Sequence, residues 1–141
     1  MSKSFQQIVD FVGVCAEELF TTYLTSEAHA AALGAPAVIS NEVGGSFKIF
    51  GGDAVRGTNL AIVPGHMIVQ TWRGKLWDED DLDSVLVLIF KETPLGAQIL
   101  LTHVNVPDHA YPHVNEIAWD RMYWKRWKQY FSANQLPRRH S

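Results

Sequence analysis

The segment HVNEIAWDRMYWKRWKQYFSANQLP, from His113 to Pro137, carries the pattern that decides the predicted fold. At 100° per residue, its large apolar side chains fall on one face of a single long helix, and its basic side chains fall opposite. The apolar face consists of Trp119, Tyr123, Trp127 and Tyr130 at its centre, with Ile117, Trp124 and Phe131 along one side. Such a face must be buried against another layer, so the helix is expected to pack on a sheet.

The residue pattern from Ala37 to Asn105 is typical of an antiparallel sheet. Its apolar runs are AVIS, SFKIF, GTNLAIV, HMIVQTWRG, DSVLVLIF and AQILLTHVNV. The connectors between them are short and rich in glycine, proline and aspartate, which is typical of hairpins in a meander. The alternating segment from Ser4 to Gly13 adds an N-terminal strand, so we expect about six or seven strands in all.

Two short helices are expected between the first strand and the meander. From Ala16 the apolar residues take helical spacing, and a second, alanine-rich helix, EAHAAAL, follows Thr25 and Ser26, which can cap it. Gly34 stands where this helix should end. Since the chain shows no repeat and no linker, the sequence predicts one α+β domain over residues 1–141, a curved antiparallel sheet around the long C-terminal helix.

Composition excludes several classes of function. The chain has 141 residues, a formal charge of −3 and a single cysteine, Cys15. An acidic domain is a poor partner for nucleic acid, one cysteine cannot form an internal disulfide, and histidines without cysteines do not make a structural zinc site. Polar residues interrupt the N-terminal segment before it reaches signal-peptide or membrane-spanning length. We expect a cytoplasmic, soluble protein without a membrane partner.

The runs GTNLAIVPGHMIVQTWRGKLW, SVLVLIF, GAQILLTHVNVP and AWDRMYWKRWKQYF carry a family resemblance. In this order they resemble the activator-of-Hsp90-ATPase homologue domain, a member of the START-like (SRPBCC) superfamily of the birch-pollen allergen. The sequence departs from that pattern at Ala118, where members often carry glycine, and at Asn105. The resemblance implies a helix-grip fold. It also implies small-molecule binding for stand-alone members, and it matches eukaryotic co-chaperones only in their C-terminal domain, without their chaperone-engaging N-terminal domain.

Several residues are candidates for lining a pocket between sheet and helix. By analogy with the family, Trp72 points inward, and Trp77 then covers the open end of the sheet. His103 shares a strand face with Ile99 and Leu101, so it is either a polar pocket residue or a core histidine satisfied by a neighbouring group. The predicted ligand-binding set is Phe47, Trp72, Trp77, His103, Trp119, Tyr123 and Trp127. Simple core filling is the alternative for the aromatic members.

Three functions remain open at this point. A module that binds a hydrophobic or amphipathic small molecule is favoured, a co-chaperone domain is the second hypothesis, and a cyclase or hydrolase is the third. The third requires that His103 and either Glu116 or Asp120 face the same polar pocket. Stabilisation of the helix N-terminus is a sufficient alternative reason for a carboxylate at both positions. We predict no catalytic residue, no cofactor and no metal. For a metal, neither the pair His109 and His113 nor the acidic run WDEDDLD has the spacing that a metal site requires.

One strand indicates a partner surface. In SVLVLIF, Leu86, Leu88 and Phe90 take one face, and the opposite face is also apolar. That second face consists of Val85, Val87 and Ile89, joined by Leu100 from the next strand. Apolar residues on both faces of an antiparallel strand suggest that the outer face is covered too, so a homodimer through the outer sheet is predicted.

Overall fold

Seven antiparallel strands form one sheet in the order β1-β7-β6-β5-β4-β3-β2. The computed structural model describes the backbone of residues 1–139 and the side chains of residues 1–133. The strands are β1 Ser2–Val12, β2 Ala37–Ile39, β3 Ser46–Ile49, β4 Val55–Val63, β5 Met67–Gly74, β6 Ser84–Thr93 and β7 Gly96–Pro107. Strands β2 to β7 are the predicted meander, and β1 joins it by pairing with β7. The predicted fold class is confirmed.

Side-chain alternation decides which face of the sheet is the core. In β6 the residues Leu86, Leu88 and Phe90 are buried, whereas Val85, Val87 and Ile89 are half-buried on the outer face. In β7 the inward positions are Ile99, Leu101 and His103. Pairing of Ile89 with Leu100 and of Val87 with Val69 makes the outer apolar surface continuous over three strands. No helix in the described part of the chain is long and apolar enough to cross a membrane.

Two short helices follow β1, as the sequence predicts. Helix α1 spans Ala16–Leu24 and α2 spans Ser26–Leu33, and Gly34 ends α2 in the left-handed conformation that glycine adopts without strain. The predicted cap by Thr25 or Ser26 is wrong, because the Thr25 hydroxyl donates to the Thr21 carbonyl and the Ser26 hydroxyl bonds the backbone of Ile39. The two helices close one end of the concave face of the sheet.

The C-terminal helix contains a π-helical turn that the sequence pattern did not reveal. It begins as α3, Glu116–Trp119, continues through the π segment Asp120–Trp124, and ends as α4, Lys125–Arg139. A short 3₁₀ turn, Tyr111–His113, precedes it. A π turn adds one residue to the helix, which delays every later side chain by about 100° around the axis.

This offset changes which aromatic residues face the sheet. Trp119 and Trp124 lie five positions apart yet stack, with ring centroids 5.7 Å apart and an interplanar angle of 17°. Trp124, Trp127 and Phe131 are buried, whereas Ile117 is 72% exposed and Tyr130 is only half-buried. The regular helix predicted from sequence therefore placed Ile117 wrongly on the buried face.

Asn105 has a structural reason for departing from the family pattern. It adopts a positive φ of 64°, a conformation that asparagine tolerates better than most residues. The pairing of β1 with β7 shifts register between Lys3 and Phe5, opposite this point. The Asn105 side-chain amide donates to the Asp83 carbonyl at 3.1 Å, which ties the bulged strand to the start of β6.

Candidate functional site

A cavity of about 260 Å³ lies between the β3 to β5 end of the sheet and the C-terminal helix. Its wall is almost entirely apolar, and it comes from β3, β4, β5, the loops that follow β3 and β5, the 3₁₀ turn and the first turns of the C-terminal helix. The lining residues are Ile49, Phe50, Ala54, Val55, Trp72, Gly74, Lys75, Leu76, Trp77, His113, Val114, Ala118, Trp119, Met122 and Tyr123. Lys75 and His113 are exposed, so they mark the mouth of the cavity.

Four aromatic rings form one continuous section of this wall. The centroids of Trp72 and Trp77 are 5.6 Å apart, those of Trp72 and Trp119 are 5.9 Å apart, and those of Trp119 and Tyr123 are 4.9 Å apart. Strand alternation turns Trp72 inward from β5, and the helix brings Trp119 and Tyr123 to meet it. Since these rings touch each other and are each less than a tenth exposed, they form a packed surface beside the empty space.

A hydrogen-bond chain through His103 fixes the Trp119 ring and reaches the backbone of Trp72. The Trp119 indole N–H donates to His103 Nδ1 at 3.2 Å. His103 Nε2 lies 2.8 Å from Ser84 Oγ, and the Ser84 hydroxyl donates to the Trp72 carbonyl. Because Ser84 gives its only proton to that carbonyl, His103 must carry its proton on Nε2 and accept at Nδ1. Burial lowers the pKa of His103 from 6.5 to about 3, so the ring is neutral.

A second buried chain begins at the cavity wall, at Tyr123. The Tyr123 hydroxyl donates to His29 Nε2, and His29 Nδ1 donates to the Tyr23 carbonyl at 2.7 Å. Burial lowers the pKa of His29 from 6.5 to about 4, although the bond to that carbonyl acts in the opposite direction. The neutral ring is therefore the acceptor that holds the Tyr123 hydroxyl away from the cavity.

A further chain of hydrogen bonds starts at the Tyr23 side chain and crosses the core to the far edge of the sheet. The Tyr23 hydroxyl donates to Gln70 Oε1 at 2.8 Å, and Gln70 Nε2 donates to Asn59 Oδ1 at 2.9 Å. The Asn59 amide then donates to the carbonyls of Ser40 and Glu42. Each link uses a donor and an acceptor that would otherwise be buried without a partner, and such a group costs about 1–3 kcal/mol.

The structure separates the predicted site residues into two groups. Trp72, Trp77, Trp119 and Tyr123 border the cavity, whereas Phe47, His103 and Trp127 lie behind the wall. His103 spends both ring nitrogens on Trp119 and Ser84, the satisfied core histidine that was the alternative interpretation. The ligand-binding role of the four that border the cavity stays a prediction.

Several lining residues were not identified from the sequence. Ile49, Val55 and Met122 gave no pattern that distinguishes cavity wall from ordinary core. Phe50 did carry a sequence signal, because it precedes two glycines. In the structure all three residues adopt a positive φ, which is 70° at Phe50. A bulky residue in this conformation is strained, and such strain is concentrated at functional sites.

The groups required for catalysis do not meet in the described part of the chain. The Glu116 carboxylate accepts a hydrogen bond from the Tyr111 hydroxyl at 3.3 Å, and Asp120 is exposed. Neither carboxylate borders the cavity, and both ring nitrogens of His103 are occupied. The arrangement that the enzyme hypothesis requires, with His103 facing Glu116 or Asp120 across a polar pocket, is absent among the described residues.

One exposed group has metal-ligand residue types, and it pairs His109 with the acidic loop after β5. His109 Nε2 lies 3.2 Å from an Asp81 oxygen, 3.6 Å from an Asp78 oxygen and 3.0 Å from the Leu76 carbonyl. The contact with the Leu76 carbonyl is at hydrogen-bond distance, with Nε2 as the donor. These polar contacts link the acidic loop to the segment that follows β7.

A curved antiparallel sheet, a long C-terminal helix across its concave face and an apolar cavity between them define a helix-grip domain of the START-like class. The chain belongs to the family described as activator of Hsp90 ATPase homolog 1-like protein, whose model matches residues 14–132. This match covers the two short helices, the meander and most of the C-terminal helix. It confirms the resemblance seen in the sequence.

Curated relatives share the family name but are longer proteins. The chain is 29% identical over 92 residues to the activator of 90 kDa heat shock protein ATPase homolog of Dictyostelium discoideum, covering 65% of this chain and 24% of the relative. It is 29% identical over 115 residues to homolog 1 of Homo sapiens, covering 82% and 33%. The chain thus spans about a quarter to a third of the length of these relatives.

Solved structures repeat the fold. A protein from Mesorhizobium loti has a TM-score of 0.77 at 18% identity and covers 93% of this chain and 98% of its own, a likeness of fold alone. An HSP90 activator from Plasmodium falciparum has a TM-score of 0.64 at 25% identity and covers 96% and 93%.

Proposed function

We propose that this domain binds a hydrophobic or amphipathic small molecule in the cavity between the sheet and the C-terminal helix. The observation that carries the proposal is the cavity itself, an open apolar space of about 260 Å³ bordered by three tryptophans and a tyrosine. Ligand pockets are mostly apolar concavities with a few polar groups that orient the ligand. Lys75 and His113, both exposed, are the polar side chains at the mouth.

The volume limits the ligand. An apolar cavity of about 150 Å³ is known to hold benzene. A space of about 260 Å³ therefore accommodates a body of about two fused rings, or an acyl chain of similar volume. Larger molecules would have to extend through the mouth between Lys75 and His113.

The wall is held in place before any ligand arrives. The Trp119 N–H is committed to His103, and the Tyr123 hydroxyl is committed to His29, so both rings keep their orientation through bonds that point away from the cavity. A preformed site loses less conformational entropy on binding than one that must be ordered. This rigidity favours a binding module with defined size selectivity.

The test is a size series of neutral aromatic molecules measured by equilibrium dialysis. Toluene, 2-methylnaphthalene and 9-methylanthracene represent one, two and three rings, and we expect the tightest saturable binding for two. The Ala118→Phe variant fills the cavity from the helix side, because Ala118 lines it and is 8% exposed. It should weaken binding of 2-methylnaphthalene at least tenfold. Ala31→Phe, on the exposed face of α2, is the matched control and should not.

Absence of saturable binding for the whole series would dismiss the proposal. Equal binding by wild type and Ala118→Phe would also contradict it, because the molecule would then bind outside the cavity.

A co-chaperone role is the second candidate, and the family match favours it. The curated relatives are named as activators of the heat-shock chaperone ATPase, but this chain covers only a third or less of their length. The chain alone would have to bind a purified Hsp90 and raise its ATPase rate. Absence of both effects at high protein concentration would rule out this candidate. If the effects are present, their loss in Ala118→Phe would indicate an interaction that uses the cavity, and their retention would indicate one that uses the surface.

A further inference from the structure

The five tryptophans of the chain differ in what their indole N–H groups meet. Three of these groups are sealed inside the protein without a partner, those of Trp77, Trp124 and Trp127. A fourth, that of Trp119, donates to His103. The fifth, that of Trp72, is not sealed, and it makes no hydrogen bond among the described residues. Of the five indole donors, only that of Trp72 is free to meet a ligand.

The open side of the Trp72 ring faces the cavity. Trp72 points to the concave face of the sheet, is only 8% exposed and borders the cavity. Neighbouring rings enclose it elsewhere, with centroids 5.6 Å away at Trp77, 4.9 Å at His103 and 5.9 Å at Trp119. Because this packing fixes the ring, the N–H has a set direction before any ligand arrives.

The other inner side chains of the wall offer a ligand little polar contact. The Tyr123 hydroxyl is committed to His29, and Lys75 and His113 lie exposed at the mouth. The remaining described side chains on the wall are hydrocarbon, thioether or indole. A hydroxyl or ammonium group of a ligand would leave its own protons unpaired among them. A carboxylate would exchange its hydration for a single hydrogen bond, which is costly.

We propose that the ligand carries a neutral hydrogen-bond acceptor of the ketone, ester or ether class, which accepts from the Trp72 N–H inside the cavity. This inference rests on the proposed small-molecule binding and names the chemical class of the ligand. Such an oxygen has no proton of its own to leave unpaired, and it pairs with the free donor. Trp72 would then orient the ligand, because apolar contacts with the rest of the wall are non-directional.

Two probes of the same shape isolate the contribution of this oxygen. 2-Acetylnaphthalene has a ketone where 2-isopropenylnaphthalene has a carbon–carbon double bond, and both have the two rings that the cavity volume accommodates. Equilibrium dialysis gives the affinity of each probe. A ketone that loses its hydration without gaining a donor should bind about tenfold more weakly than the alkene. We expect near-equal affinities for the wild type, because Trp72 supplies the donor.

Two substitutions assign the effect to Trp72. Trp72→Phe keeps an aromatic ring but removes the N–H, so the ratio of ketone affinity to alkene affinity should fall about fivefold or more. Trp77→Phe is the matched control, because its ring borders the same cavity while its N–H is sealed, and it should leave the ratio unchanged. The ratio is compared because either substitution enlarges the cavity and weakens both probes.

NMR of the wild type gives a second readout that does not depend on how well Trp72→Phe folds. The indole proton of Trp72 should move downfield when the ketone binds, relative to its position in the alkene complex. The indole protons of Trp124 and Trp127 do not border the cavity and should have the same position in both complexes.

The outcomes separate this inference from the proposed function. Saturable binding of the alkene, with the ketone about tenfold weaker in the wild type, would overturn the acceptor inference and leave cavity binding in place. An affinity ratio that is the same in the wild type and in Trp72→Phe would do so too, as would a Trp72 indole proton at the same position in both complexes. Failure of both probes to bind would overturn the proposed function as well.

Discussion

Acid should destabilise this protein well above the pH at which its carboxylates begin to titrate, because two histidines are buried in neutral form. Burial lowers the pKa of His29 from 6.5 to about 4 and that of His103 from 6.5 to about 3. The unfolded chain therefore takes up these protons first as pH falls below 6.5. Stability is complete above that pH and decreases as pH falls toward the two folded-state values.

The size of the effect follows from the width of this window. Each histidine lowers the free energy of unfolding by about 1.4 kcal/mol per pH unit below its unfolded pKa. Between pH 6.5 and pH 5 that amounts to about 2 kcal/mol for each, or about 4 kcal/mol for both. Because a typical domain has roughly 5–15 kcal/mol of stability, the loss is a large fraction of the total.

The assay is equilibrium urea unfolding, followed by tryptophan fluorescence at pH 7, 6 and 5. The variant His29→Gln should lose only about half as much stability over this range as the wild type. The double variant His66→Gln and His113→Gln removes two exposed histidines and should lose as much as the wild type. If His29→Gln does not fold, proton uptake on unfolding of the wild type at pH 5 gives the same information and should be about two.

A loss of less than about 1 kcal/mol between pH 7 and pH 5 would refute the reasoning. Because one such ring alone would account for about 2 kcal/mol, it would mean that neither ring is held in neutral form in the folded protein. The hydrogen-bond directions assigned to His103 and His29 would then be wrong as well.

Three further predictions concern the buried polar groups and the outer sheet. Trp119→Phe leaves the acceptor nitrogen of His103 without a donor, so it should cost about 1–3 kcal/mol more in urea unfolding than Trp124→Phe, whose indole N–H has no partner to lose. Gln70→Leu leaves the Tyr23 hydroxyl and the side-chain Oδ1 of Asn59 without partners, so it should cost about 2–4 kcal/mol by the same measurement. A glutamine on the outer face of the sheet changed to leucine should cost less than about 1 kcal/mol. The apolar outer face of β5 to β7 is expected to be covered by a second copy, so light scattering should give twice 15.9 kDa, and a monomer at high concentration would contradict the dimer.

The order of elements could be read from the sequence because each element has a strong local period. Alternation in β6, the glycine-rich connectors and the aromatic density of the last helix all depend on neighbours in the chain. They sufficed for the sheet and the two short helices, whereas the inward direction of Trp72 followed from the family resemblance. The contribution of Trp77 to the cavity wall also agrees with its predicted place at the open end.

Features that depend on distant contacts could not be read in this way. The π turn at Asp120–Trp124 leaves no simple pattern, yet it moves Tyr130 from the predicted centre of the buried face to a half-buried position. His29 sits in an alanine-rich helix with no periodic signal, and its partner Tyr123 is 94 residues away. The division between wall and core was hidden for the same reason, because Trp119 and Trp127 look alike in sequence. Trp127 is enclosed by the rings of Phe11, Tyr23 and His29, whereas Trp119 borders the cavity.

Native mass spectrometry tests the central claim, small-molecule binding in the cavity, most directly. The protein is isolated gently from its own host, and its native mass is compared with its denatured mass. The account predicts a reproducible extra mass that is lost on denaturation and is absent from Ala118→Phe isolated in the same way. Bare protein in repeated preparations, together with no uptake of 2-methylnaphthalene added in excess, would contradict it.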